Sequence, residues 1–357
     1  MQYTKTIYKK DSKGKIRYVR IEAQDGFLNQ YSGVLGGAEV TNTSTCEPKN
    51  VGRANETTAT EQAVLEAQAK IELKMRQGYF ETPEEAENEV VIMPMLAKDY
   101  KKESHKITFP CYVQPKLDGM RCLAIMKGGE VKMMSRSNKE ITTLEHIKQD
   151  LMGIYSEGMI LDGELYAHGL SFQENMKLIK KYRAGETEQV KYHVYDMVAN
   201  VPFDMRLNRL LQKNLHEVTS LETVRTVKVN DVFAIEDNHS YFISLGYEGT
   251  MVRWGNEGYK IKARSSNLLK YKDFIDETYP VIAVVPSEAR PEHATLVCVN
   301  NKGDEFKTGM KFSHNEREEI LQNKDRYIGQ TAEVRFFEHT DDGLPRFPVC
   351  VGFRNDK

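Results

Sequence analysis

The chain of 357 residues is poor in the features that mark several large protein classes. It has five cysteines, Cys46, Cys111, Cys122, Cys298 and Cys350, scattered and with no C-x-x-C pair. A disulfide framework and a structural zinc site are therefore not expected, and a reducing compartment such as the cytoplasm fits. No run of 18 apolar residues occurs, so no segment is expected to span a bilayer. The first residues, MQYTKTIYKKDSKGK, lack an apolar core and read as neither signal peptide nor anchor. Net charge is almost absent, at −2, so a nucleic-acid partner would have to be met by a local basic surface. There is one tryptophan, Trp254, and there is no internal repeat or low-complexity tract. What remains is an ordinary globular balance, 40% hydrophobic and 29% charged, long enough for two or three domains.

The first 80 residues hold 12 Lys+Arg against 9 Asp+Glu, and seven of the basic residues fall in the first 20. KIRYVRIE (15–22) alternates as a strand does. Thr58 to Glu61 has the S/T-x-x-E spacing of a capping box, opening a helix to about Arg76 with Gly78 as its stop. This predicts a small α+β module over residues 1–85. ETPEEAENEV (81–90), with five glutamates and a proline, reads as a linker. Over 91–274 the strand candidates CYVQPK, RCLAIM, EVKMMS, GMILDGELYA, VKYHVYDMV and GTMVRW alternate with helix candidates at 143–152, 172–181 and 204–217. That pattern predicts an α/β domain with helix-covered sheets. Over 275–357 the order is three strands, a helix, then two strands, which is the order of an OB-fold barrel.

Six short stretches carry charged or aromatic side chains at strand ends: KLDGMR (116–121), LDGELYAHG (161–169), YHVYDMV (192–198), YEGTMVRW (247–254), LLKYKDF (268–274) and the terminal RNDK (354–357). Each has a plain explanation alone. A D-G turn between strands accounts for the first, a turn carboxylate for the second, and solvated lysines for the fifth.

In this fixed order, however, the stretches resemble the motif series of the covalent nucleotidyltransferases: ATP-dependent DNA ligases, some RNA ligases and mRNA capping guanylyltransferases. EGTMVR at 248–253 is similar to the DNA ligase form, and YIGQTAEVRFFE and PRFPVCVGFR resemble the OB domain of small viral and phage DNA ligases. The resemblance covers about 92–357. It implies an ATP-grasp-like nucleotidyltransferase (adenylation) domain over 91–274 and an OB-fold domain over 275–357. It also implies a monomeric intracellular enzyme, of viral or phage type, that uses ATP with Mg²⁺ (or Mn²⁺) to seal nicked duplex DNA, with no membrane partner. An RNA ligase or an mRNA capping guanylyltransferase is the alternative enzyme, and a non-catalytic nucleic-acid-binding protein on a decayed copy of the fold is the alternative of another class.

The resemblance assigns the residues as follows. Lys116 is the nucleophile that takes AMP, with Asp118, Lys270 and Lys272 catalytic beside it; both later lysines also hold the α-phosphate. Glu164 binds ribose, Tyr195 stacks on adenine, and Gln114 is a candidate reader of the adenine edge. Glu248, with Glu164, meets the metal. Arg121 and Arg136 contact ribose and the nick phosphate, Arg264 joins them on DNA, and Arg354 and Lys357 meet the β- and γ-phosphates. Two departures stand out. Small viral ligases carry a long basic DNA-wrapping insertion in the OB domain, whereas here the turns at 286–294 and 300–305 are short and 275–357 is net −4. The N-terminal module, net +3, is a candidate for the missing grip, and its end weakly resembles WGR-type DNA-binding modules, although their signature tryptophan is absent.

Overall fold

Alternation at the N-terminus produces a meander. Strands β1 (Tyr3–Lys10), β2 (Ile16–Gln24), β3 (Phe27–Val34) and β4 (Glu39–Thr45) pair antiparallel in sequence order. Asp25 and Gly26, both at positive φ (52° and 81°), make the tight β2–β3 turn. The structure, a computed structural model, describes residues 2–88 and 91–354. One face of the meander, with Ile7, Val19, Ile21, Ala23 and Leu28, packs on Ala63, Val64, Ala67 and Ile71 of helix α1 (Ala59–Arg76). The Thr58–Glu61 capping box forms, and Gly78 follows the helix at φ 92°. The glutamate-rich stretch read as a linker differs from that reading. Residues Pro83–Asn88 form a short helix, α2, because Thr82 and Glu85 cap each other's backbone N–H at 3.1–3.2 Å. Lys5 pairs with Glu81 at 2.6 Å and fastens the stretch to β1.

The middle of the chain supplies β5 (Leu96–Asp99), α3 (Tyr100–Glu103), β6 (Cys111–Lys116), β7 (Met120–Lys127), β8 (Glu130–Ser135) and α4 (Glu145–Gly153). It continues with β9 (Ile160–Tyr166), α5 (Phe172–Lys180), β10 (Lys191–Met197), α6 (Phe203–Leu211) and β11 (Leu221–Thr223). It ends with β12 (Val227–Val229), α7 (Val232–Ser244), β13 (Gly249–Arg253) and β14 (Arg264–Tyr271). These strands make two five-stranded sheets, β11-β10-β9-β7-β8 and β12-β6-β13-β14-β5. The chain crosses from one sheet to the other at residues 117–119, directly after Lys116. The first sheet covers a core containing Met126, Leu161 and Tyr192, with Ile147 and Leu151 from α4 and Leu178 and Ile179 from α5. The second packs Val113, Val252 and Leu269 against Ile235 and Phe242 of α7.

Two helical expectations are revised. The 204–217 candidate stops at Leu211, because Asn214 takes a left-handed conformation (φ 49°) and turns Leu215 into the core. Helix α7 is additional to the three candidates. Its aromatic and β-branched composition gives a weak periodic signal, and Asp231 starts it by accepting from the Ala234 N–H at 2.8 Å.

The C-terminal strands β15 (Ile275–Pro286), β16 (Ala294–Val299), β17 (Glu305–Met310), β18 (Thr331–Phe336) and β19 (Val349–Arg354) close a barrel in the order β15-β16-β17-β19-β18. The helix between β17 and β18 splits at Asn323 into α8 (His314–Gln322) and α9 (Lys324–Tyr327). This is the five-stranded OB arrangement with a helix before its fourth strand. All five cysteines are buried and free, and no described helix is long and apolar enough to cross a membrane.

Gly119, at the crossing between the sheets, has no room for a side chain: a Cβ would sit 2.2 Å from the Leu165 carbonyl oxygen. Gly153, at the end of α4, faces open space. Gly119→Ala is expected to cost about 2 kcal/mol through forced backbone displacement. In a thermal scan that lowers the midpoint by about 4–8 °C, whereas Gly153→Ala leaves it unchanged or higher. Equal midpoints for the two variants would contradict the close approach.

Candidate active site

The site is built where β6 ends. Lys116 is the last residue of β6, and the antiparallel register pairs it with Gly249 at the start of β13. The Glu248 N–H donates to the Lys116 carbonyl at 3.0 Å, which places the Glu248 side chain beside the Lys116 amine. Gly249 permits this, since a Cβ there would lie 2.2 Å from the Tyr271 carbonyl oxygen of the adjacent strand. Lys272, one residue beyond β14, reaches the same carboxylate from the other side. The buried Glu248 carboxylate thus accepts hydrogen bonds from both Lys116 and Lys272.

One negative charge cannot neutralise two ammonium groups held out of water, so the second proton is held weakly. Burial is the main cause of a lowered Lys116 affinity for its proton, opposed by Glu164 and Asp118 and aided by Arg346 and Arg121. Burial, reinforced by Lys116, brings Lys272 down to about 7. Lys270, on β14, is also lowered by burial, with Asp99 opposing. Burial pushes Glu164 up to about 7, against the pull of Lys116 and Arg121.

A cavity of about 230 Å³ opens beside Lys116, and its lining includes Gln114, Glu164, Tyr195, Arg264 and Lys270 together with Arg136. Two buried carboxylates organise its walls. Asp162 accepts a two-point contact from Arg121 (2.9 and 2.5 Å) and a hydrogen bond from the Tyr259 hydroxyl at 2.6 Å. Asp196 accepts from Arg206 (2.7 and 3.1 Å) and from Arg253 at 2.6 Å. Arg253 in turn donates to Gln114 Oε1 at 2.8 Å, and Gln114 Nε2 donates to the Tyr195 carbonyl and the Thr226 hydroxyl at 3.1 and 2.9 Å. The Tyr195 ring lies between Arg121 and Arg253 (5.7 and 5.4 Å to its centroid), and its hydroxyl donates to Glu164 at 3.3 Å.

A second cavity, of about 940 Å³, shares Lys116, Arg121, Arg136 and Glu164 with the first and is further bounded by Lys139, Thr142, Lys272 and, from the barrel, Arg346 and Phe347. Arg346, in the β18–β19 loop, donates to Asp118 and to Glu338, with one of the Asp118 contacts at 3.1 Å. Its guanidinium lies 3.9 Å from the centroid of the Phe172 ring. The barrel is thereby tied to the residue two places beyond Lys116.

Most of the sequence-predicted residues converge. Lys116, Gln114, Arg121, Arg136, Glu164, Tyr195, Arg264 and Lys270 share the smaller cavity, while Lys116, Asp118, Glu248 and Lys272 line the larger one. Two of the named residues stand elsewhere than expected. Gln114 is buried with both ends of its amide engaged, so as held it offers no free group to an adenine edge. Arg354 ends β19 on the barrel, 3.5 Å from Glu333, and does not line either cavity. Lys357 lies outside the described residues. Conversely, Arg346, Arg253, Asp196 and Asp162 also build the site. All four stand inside the quoted stretches, which gave none of them a role.

No group of three or more His, Cys, Asp or Glu side chains that could hold a metal occurs among the described residues. Glu248 and Glu164 flank Lys116 as isolated carboxylates. That suits a hard cation that takes most of its ligands from phosphate and water, and does not suit a cation caged by protein alone.

Comparison with known proteins agrees with this geometry. Residues 94–272 match the family model "ATP dependent DNA ligase domain", and residues 292–354 match "DNA ligase OB-like domain". The chain is 25% identical to the DNA ligase of Enterobacteria phage T4, over 74% of this chain and 68% of the phage protein. It is 26% identical to the DNA ligase of African swine fever virus (strain Badajoz 1971 Vero-adapted), over 87% and 79%. It is 31% identical to the DNA ligase of Haemophilus influenzae, over 52% and 69%. Among solved structures, "Pmar-Lig_PreS3" shares the fold with a TM-score of 0.66 at 22% identity, over 83% of this chain and 73% of that one. A Lig E DNA ligase structure does so with a TM-score of 0.62 at 24% identity, over 74% of this chain and 100% of that one.

The electrostatics predict opposite shifts for two variants. Removing the Glu164 charge with Glu164→Gln takes away a group that holds the Lys116 proton, so Lys116 deprotonates at lower pH. Arg346→Gln removes a repelling cation, so it deprotonates at higher pH. Competitive labelling with acetic anhydride across pH, mapped by mass spectrometry, reads both shifts and should give a Lys272 midpoint near 7. Shifts in the same direction would refute the assignment of causes.

Proposed function

This chain belongs to the ATP-dependent DNA ligases, and on that footing we propose how its residues divide the work of sealing a nick. The observation that carries the proposal is the pair of amines, Lys116 and Lys272, on the single Glu248 carboxylate in the wall of the larger cavity. A lysine must be neutral to attack, and crowding a second amine beside it is a way to keep it so.

Lys116 Nζ attacks the α-phosphorus of ATP. A P–N bond forms, the bond from the α-phosphorus to the bridging oxygen breaks, and pyrophosphate leaves. The proton lost from Nζ passes to Glu248, which contacts that amine, and on to Lys272 on the same carboxylate. Lys270 and Lys272 hold the non-bridging oxygens. Tyr195 and Glu164, joined at 3.3 Å, serve base and ribose respectively. Gln114 acts through its backbone and by fixing Tyr195. In the second step an oxygen of the nick's 5′-phosphate attacks the same phosphorus and the P–N bond breaks, so that AMP is joined to DNA by a pyrophosphate link. The 3′-hydroxyl then attacks the 5′-phosphate, and AMP departs. Arg121, Arg136 and Arg264 serve the nick and nucleotide phosphates, and Asp118 works at the nick side of Lys116. Glu248 and Glu164 would hold Mg²⁺ (or Mn²⁺) with the triphosphate, and the ion would neutralise charge on the leaving pyrophosphate.

The proposed division of the chain is 91–274 for adenylation, 275–357 for the OB-fold and 1–85 as a further grip on duplex DNA. The tail, Arg354 and Lys357, meets the β- and γ-phosphates in the first step after the barrel turns toward the nucleotide. A monomer acting in the cytoplasm of a host cell fits the phage and viral relatives.

Incubation with labelled ATP and Mg²⁺ should place AMP on Lys116, with none from GTP and none on Lys116→Ala. An adduct mapped to another residue would end the proposal. A chain cut after Gly352 should adenylate itself about tenfold more slowly or worse, having lost cations at the leaving group, while sealing pre-adenylated nicks at close to the full-length rate.

A further inference from the structure

Three amines from three different elements meet where the N-terminal module abuts the adenylation domain. Lys9, on β1, donates to the Gln77 carbonyl at 2.7 Å, and Lys262, in the β13–β14 connection, reaches the same oxygen at 3.5 Å. Lys74, in the last turn of α1, and Lys9 lie 5.5 and 5.3 Å from the centroid of the Tyr79 ring. Among the described residues none of the three has a carboxylate partner: the one negative end offered is the carbonyl that caps α1. Neighbouring lysines are paired, Lys5 with Glu81 and Lys260 with Glu257, both at 2.6 Å. Burial and the adjacent Lys262 and Lys74 amines lower the proton affinity of Lys9, so the cluster holds its charges against mutual repulsion.

The backbone contributes a second observation. Lys262 has φ 58°, a left-handed conformation that costs a lysine energy and is held here by its N–H donating to the Met93 carbonyl at 3.1 Å. Two residues on, Arg264 lines the nucleotide cavity. The kink therefore aims one side chain at the N-terminal module and another at the active site. An anion is the ligand that such a set lacks, and the Tyr79 hydroxyl makes no hydrogen bond within the described residues that would compete for it.

We infer that Lys9, Lys74 and Lys262, with Tyr79, form a composite site for a phosphate, and that its occupant is a backbone phosphate of the duplex flanking the nick. This deepens the reading of residues 1–85 as a grip on DNA and rests on it. The site spans both bodies, so an occupied site locks the module against the adenylation domain. It also supplies positive charge that the barrel segment, at net −4, does not provide.

The test uses the full-length enzyme, pre-loaded with AMP, and a nicked duplex with a dideoxy 3′ end, in EDTA, titrated at several salt concentrations. For Lys9→Gln/Lys262→Gln the slope of log Kobs against log salt should become shallower by about 1, the loss of one phosphate contact. At 0.15 M salt the affinity should fall about five- to tenfold, with self-adenylation unchanged. Lys262→Arg should retain the wild-type slope, and Lys324→Gln on the barrel should leave it untouched. A wild-type slope in the double variant overturns the site, and so does a slope loss equal to that of Lys324→Gln. A drop in thermal stability with an unchanged slope would make the cluster a mere staple through Gln77. A parallel calorimetric titration with sodium pyrophosphate separates the two sources of phosphate: loss of pyrophosphate binding without loss of slope overturns DNA as the occupant. Arg20→Ala, on the open face of the meander where Arg20 covers Tyr31 at 4.3 Å, separates the two levels of the argument. If it weakens DNA binding and the lysine variants do not, the module grips DNA elsewhere and this site alone fails.

Discussion

The active site depends on one buried carboxylate having to serve two amines. Glu248 cannot be moved away from Lys116 without unpairing β6 from β13, because backbone register and side-chain contact involve the same residues. Lys272 is brought to the same point by β14, whose pairing with β13 ends at Thr250 and Tyr271. Three adjacent segments thus deliver three charged groups to one small volume, with Gly249 as the position where backbones come too close for any side chain. The excess of positive charge is structural, and with burial it weakens the site's hold on the Lys116 proton.

Behind this centre the walls are stiff for a different reason. Asp162 and Asp196 are fully buried, which would be costly for lone carboxylates, but each is surrounded by donors with little freedom: Arg121 and Tyr259 for one, Arg206 and Arg253 for the other. Networks that satisfy every member restrain their neighbours. Here the restrained neighbours are Gln114 and Tyr195, held in one geometry in the wall of the smaller cavity.

Much of this was legible in the sequence wherever the determining contacts are local or the motif is contiguous. The Thr58–Glu61 capping box, the alternating strands around Lys116 and the order of barrel strands were all readable because each depends on spacing over a few residues. The family resemblance then collected Lys116, Glu164, Glu248, Lys270 and Lys272 into one site. What escaped depends on distance or on competition. Arg346 finds Asp118 across 228 positions of sequence, and no local pattern announces such a pairing. Gln114 sits at a motif position that suggested a free amide, yet Arg253, 139 positions away, claims its oxygen. The 81–90 stretch has a linker's composition, and only its second capping pair, Thr82 with Glu85, marks it as helical.

The barrel's orientation follows from where its two arginines stand. Arg346 precedes β19 and Arg354 ends it, so the six-residue strand separates them by about 17–20 Å at the usual rise per residue. With Arg346 bound to Asp118, the far end of β19 is directed away, which accounts for Arg354 resting on Glu333. A single rigid orientation cannot bring both ends of one strand to the same lysine. The tail's contact with a triphosphate, as proposed above, would require the Arg346–Asp118 pair to part and the barrel to turn about the short connection at residues 272–274. Lys272, which shares Glu248 with the nucleophile, lies in that connection. A turn of the barrel about that connection would therefore also move the amine that shares Glu248 with Lys116.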